Sequence, residues 1–117
     1  MKRLNNRGIV MDDFEKRTEL IGKAIPKFAK AKAERVYIEQ FRKSKKAILM
    51  REALTLKTQS EREQYAYAHP DYVKLLHGLK EAIEVEEKCK WALEKFKIEF
   101  EHWRTIQANE RYLKDRV

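Results

Sequence analysis

From Ala68 to Trp103 the chain carries a nearly unbroken 4,3 repeat: Ala68, Tyr72, Leu75, Leu79, Ala82, Glu86, Cys89, Leu93, Phe96, Phe100 and Trp103. Ten of these eleven positions are apolar. A spacing that averages about 3.5 residues holds one stripe toward a partner helix, so this stretch is predicted to be one long helix in a coiled-coil-like seam. Glu86 is the single charged member of the stripe. A charge in such a seam fixes register at a cost in stability, and Lys45 or Lys46 is its expected partner.

Turn residues are scarce. Three Gly and two Pro in 117 residues cannot supply the regular turns of a many-stranded sheet, so the whole chain is predicted to be all-α. That length fits one domain. Cys89 is the only cysteine, which excludes an intramolecular disulfide. No apolar run approaches the roughly 20 residues that cross a bilayer. Both features point to a cytoplasmic setting and no membrane partner. Residues 1–11 contain Lys2, Arg3 and Arg7 with no hydrophobic region behind them and read as a flexible tail, with Met11 an alternative translation start.

The remainder, 12–117, reads as a single helical domain. Asp12 and Asp13 place carboxylates where a helix N-terminus offers free N–H groups and a positive dipole end, so a first arm is expected over 12–57. Pro26, aided by Gly22, predicts a kink or a short break in it. From Lys27 to Lys57 two faces separate: Ala29, Ala33, Val36, Tyr37, Phe41, Ser44, Ala47, Ile48 and Leu54 on the inner side, Lys and Arg on the outer. Residues 58–70 form the connector, with Ser60 and Glu63 as an expected capping box for a short helix. Pro70 suits the first turn of a second arm over 71–116, which would span about 69 Å.

Two arms of equal length around a connector imply a long helical hairpin with antiparallel coiled-coil-like packing. Setting residue 57 opposite 70 brings Phe96, Phe100 and Trp103 near Ala31, Lys27 and Ala24, and Leu113 near Phe14, large residues against mostly small ones. A second strip (Ala31, Ile38, Leu49, Leu56) exceeds what one hairpin buries, and Trp91 and Ile98 fall opposite the seam. Both observations predict dimerisation into a bundle, with Trp91 and Ile98 at a protein interface.

The charge of +8 is uneven: residues 27–57 hold ten Lys/Arg against three Asp/Glu, and 58–117 hold eleven against twelve. The outer face of the first arm, with Lys27, Lys32, Arg35, Arg42, Lys43, Lys45 and Lys46, is therefore the candidate contact for a DNA or RNA backbone. Chemistry has less to stand on. Glu99 and His102 form a single E-x-x-H pair, but it projects sideways from the seam, so no metal is expected. His69, His77 and His102 are scattered, Cys89 sits in the seam, and no phosphate-binding Gly-rich loop occurs, which leaves no catalytic residue and no cofactor.

The run Ala68-His69-Pro70-Asp71-Tyr72, with Leu76, Leu79 and Ala82, then Glu101-His102-Trp103-Arg104-Thr105 with Ala108, Asn109 and Arg111, resembles small helical proteins of bacteriophages and prophages, some encoded near DNA recombination genes. The resemblance covers about residues 66–111. It implies a bacterial host cytoplasm and a role in phage DNA metabolism or in countering host defence, and it carries no catalytic residue. The reading that follows is a non-catalytic, nucleic-acid-associated accessory protein of phage DNA recombination. Two alternatives are a phage protein that binds and inhibits a host nuclease or defence complex, and a structural coiled-coil adaptor.

Overall fold

The computed structural model describes Leu4, Gly8 and residues 11–116. The tail expected over residues 1–11 lies, apart from Leu4, Gly8 and Met11, outside the described residues; Met11 itself is buried. Among the described residues three helices follow one another: α1 (Asp13–Glu52), α2 (Gln59–Ala68) and α3 (Pro70–Asp115). The all-α expectation holds. The chain divides into two compact units, Met1–Phe28 with Lys88–Val117, and Ala29–Glu87, and in each a segment of α1 packs antiparallel against a segment of α3.

In the first unit α1 starts where its carboxylates predict. The Glu15 N–H donates to Asp12 Oδ1 at 2.8 Å, satisfying one of the free donors of the first turn. Phe14 then lies 5.9 Å from Phe100 and 6.3 Å from Trp103, ring centre to ring centre, and the Arg17 guanidinium sits 5.7 Å from the Trp103 ring. These contacts correct the expected register, which put Leu113 beside Phe14. Pro26 does not break α1, which runs on through it. A proline inside a helix costs about 3 kcal/mol. Ala24, buried beside Cys89 and Phe96 of α3, and half-buried Phe28 stand on either side of Pro26.

The second unit holds the bend. Here α1 ends at Glu52, five residues short of the expected Lys57, although no breaker stands between them. Packing ends the helix: Leu49, Ala66 and Tyr72 form a buried cluster, with Ala53 also buried beyond it. Leu56 donates its N–H to the Ala53 carbonyl at 3.0 Å, and Arg62 Nε donates to the Leu56 carbonyl at 3.0 Å, so the non-helical backbone finds partners. The cap of α2 is Thr58, whose hydroxyl accepts from the Glu61 N–H at 3.1 Å. The cap thus falls at Thr58, two residues before the expected Ser60 of the Ser60/Glu63 box. His69 joins α2 to α3. The residue before a proline is pushed into extended backbone, and His69 adopts φ −65° and ψ 134°. Its Nδ1 accepts from the Asp71 N–H at 3.0 Å and caps α3.

On α3 the 4,3 stripe is the packed face. From Tyr72 to Trp103 every member is buried or half-buried, with Tyr72 and Leu79 buried; Ala68 belongs to α2 and is exposed. Truncating this face should be costly: Leu79→Ala and Leu49→Ala are each expected to lose about 2 to 5 kcal/mol in urea unfolding. Thr58→Ala should lose about 1 kcal/mol as a missing cap, and exposed Leu54→Ala less than about 0.5 kcal/mol. Equal losses at Leu54 and Leu49 would contradict this packing.

Candidate functional site

Between Ala29 and Glu52, α1 presents the opposite face from the one its composition suggests. The stripe packed toward α3 is Ala31, Arg35, Ile38, Arg42, Lys45 and Leu49, again at 4,3 spacing, with Ala31 and Leu49 buried and the other four half-buried. It follows the strip Ala31, Ile38, Leu49, Leu56 that looked surplus to the hairpin. The stripe expected inside is outside: Ala29, Ala33, Val36, Tyr37, Phe41, Ser44, Ala47, Ile48 and Leu54 are all exposed. Tyr37 is 69% exposed, and its ring stacks on Phe41 with centres 6.2 Å apart and planes 10° apart.

Charge pairing explains the reversal. Arg35 donates to both Glu86 oxygens, from Nε at 2.6 Å and from a terminal nitrogen at 3.0 Å, while its other terminal nitrogen donates to Glu39 at 2.7 Å. The planar guanidinium matches a carboxylate bidentately, the strong form of such a bond. Its pKa is raised above the ordinary arginine value by the hydrogen bonds to Glu86 and then to Glu39. Glu86 was expected to meet Lys45 or Lys46. Lys45 instead pairs with Asp71 at 3.7 Å, and Lys46 with Glu63 at 3.7 Å, with its ammonium 4.7 Å from the Tyr67 ring centre.

The candidate nucleic-acid residues differ in pairing and exposure. Arg35, Lys45 and Lys46 are tied to carboxylates, and Arg42 is half-buried. Lys27, Lys32 and Lys43 are exposed. Lys27 belongs to the first unit and the other two to the second. Within Ala29–Glu87, twelve Lys/Arg face ten Asp/Glu, so the surplus that residues 27–57 show in isolation is largely neutralised once residues 58–87 pack beside them.

Trp91 and Ile98 stand at 62% and 66% exposed, as their place opposite the seam predicts, with the Lys90 ammonium 5.5 Å from the Trp91 ring centre. Glu99 and His102 are exposed, and Glu99 lies 3.9 Å from Lys95. Among the described residues no group of three or more His, Cys, Asp and Glu could hold a metal ion. Cys89 is half-buried on the seam and lines an open groove of about 390 Å³ with Lys23, Lys27, Ala24 and Phe96, where the small side chain of Ala24 leaves space opposite Phe96. A second groove, about 390 Å³, runs beside Phe41 over Gly78, where α3 carries no side chain. No described helix is long and apolar enough to cross a membrane.

No protein family, curated protein or solved structure matches the chain. The geometry therefore stands alone. The outer face of α1, centred on Tyr37 and Phe41, is the surface that sequence reasoning missed. Its signal was present in the strip Ala31, Ile38, Leu49, Leu56, which competes for the same inward position.

One titration follows from the pairing. Hydrogen bonding to Tyr67, then the charge of Glu63, raises the Lys46 pKa above its usual 10.5. The stability that this group contributes is therefore fully present below pH 10.5 and lost as pH rises through the folded-state value. Wild type should lose stability over that range faster than Lys46→Met, measured by chemical unfolding; identical slopes would show that the contact is not made.

Proposed function

We propose that the protein is a non-catalytic helical adaptor that works by helix-to-helix association through apolar outer faces. One observation carries this reading. Arg35, Lys45 and Lys46 of the basic stripe pair with carboxylates inside their own fold, while the stripe of Tyr37, Phe41 and Ile48 faces outward. A run of large apolar side chains exposed on one helix face marks an association site. The resemblance to phage and prophage proteins supplies a setting for it, either an assembly that handles phage DNA or a complex of the host's defence.

A photo-reactive phenylalanine analogue in place of Tyr37 tests this in the cells that make the protein. Covalent protein adducts are expected at Tyr37 and not at exposed Lys80. Adducts with nucleic acid, or none with protein, would contradict the adaptor role.

Direct contact with nucleic acid is the second reading, supported by the net charge of +8 and by exposed Lys27, Lys32 and Lys43. Three phosphate contacts correspond to a log-log salt slope near −2.7 for duplex, against about −6.3 for the full seven-residue face. The adaptor reading expects no duplex or single-strand binding at about 50 mM salt. Binding that Lys32→Gln with Lys43→Gln weakens would favour the second reading.

A further inference from the structure

We infer that the groove between α1 and α3 in the first unit binds a single-chain anionic amphiphile, an alkyl chain that ends in a carboxylate. The site is separate from the outer face of α1 and goes beyond the adaptor reading. Both of its walls belong to the unit formed by Met1–Phe28 and Lys88–Val117.

Small side chains make the groove. Ala24 of α1 and Ala92 of α3 line it beside Phe96 and leave about 390 Å³ of open space. Its floor is apolar, with Ala24 buried and Cys89 and Phe96 half-buried. The volume lies within the roughly 300 to 1,000 Å³ of small-molecule sites. Along α1 the groove runs only from Leu20 to Lys27, about 11 Å of helix at 1.5 Å per residue. Such a length suits a short alkyl chain and falls far short of the roughly 800 Å² that a protein partner covers.

Charge then selects the head group. Exposed Lys23 and Lys27 of α1 and exposed Lys88 of α3 line the groove, and no carboxylate lines it among the described residues. Lys23 also meets Glu19 at 2.6 Å, one turn back along α1. Three cations beside an apolar floor repel a cationic ligand, and a second copy of the chain laid on this groove brings the same lysines to the contact. An uncharged chain fills the floor but leaves the rim unanswered. An anionic amphiphile meets both, since its methylenes cover Phe96 and Ala24 while its carboxylate accepts charge-assisted hydrogen bonds from the ammonium groups. The surroundings favour the same sign of ligand: this unit holds fifteen Lys/Arg against nine Asp/Glu, six of the chain's eight net positive charges.

Dodecanoate, kept below its micelle-forming concentration, is the probe, and the full chain is the target. Titration calorimetry should find one site per chain. Cys89 is the only cysteine and lines the groove, so its thiol reports the location. With dodecanoate at about ten times its Kd, modification of Cys89 by N-ethylmaleimide should slow about tenfold. Dodecyltrimethylammonium and dodecyl maltoside at the same concentration should leave that rate unchanged. Lys27→Gln with Lys88→Gln should weaken dodecanoate about tenfold. Ala92→Phe, at an exposed position, should fill the groove and abolish the heat of binding while circular dichroism stays helical. An absence of binding to the wild type overturns the proposal. So does binding that leaves Cys89 as reactive as before, equal protection by the uncharged detergent, or a double Gln variant of unchanged affinity.

Discussion

The fork between Arg35 and Glu86 decides how the Ala29–Glu87 unit is built. An α1 segment with apolar residues on two faces can present either of them to α3, and hydrophobic burial alone does not choose. One half-buried carboxylate on the α3 seam does. Leaving Glu86 against an apolar stripe would strand its charge, whereas turning α1 so that Arg35 reaches it satisfies both oxygens at 2.6 and 3.0 Å and brings Glu39 in as a third member. Rotation of the helix to serve this pair carries Ile38 and Leu49 inward and Tyr37, Phe41 and Ile48 outward.

That single choice propagates to function. A segment with ten Lys/Arg against three Asp/Glu has the composition of a polyanion-binding helix. In the fold three of its cations, Arg35, Lys45 and Lys46, answer Glu86, Asp71 and Glu63, and the unit that contains most of it has almost balanced charge. Composition measured along a segment does not report what that segment shows to a partner when the neutralising residues lie some 20 to 50 positions away in sequence. The surface left over carries the exposed stripe of Tyr37, Phe41 and Ile48 beside exposed Lys30, Lys32 and Lys43.

What was legible in the sequence follows the same logic. The α3 seam could be read because its apolar residues form one stripe, and the start of α1 because Asp12 acts on its own first turn. Pro70 in the first turn of α3 was legible for the same local reason. The end of α1 was not, since Ala53 and the Leu49–Ala66–Tyr72 cluster stop it through contacts that no local pattern announces. Register failed with it: five residues removed from α1 and a helical α2 in the bend move Lys45 to Asp71 and, in the other unit, Phe14 to Phe100 and Trp103. The exposure of Trp91 and Ile98 follows from their place opposite the seam alone, whereas the pairing of Arg35, Lys45 and Lys46 depends on residues of α2 and α3.

A double-mutant cycle on Arg35→Met and Glu86→Leu tests the central claim most directly, using chemical unfolding as the readout. If the pair sets the face of α1, each single change leaves one charge half-buried without its counterpart and destabilises the protein, while the double change replaces both by apolar side chains and recovers most of the loss. Effects that simply add, with the double variant as unstable as the two singles combined, would show that the two residues do not meet and that α1 faces α3 in some other way.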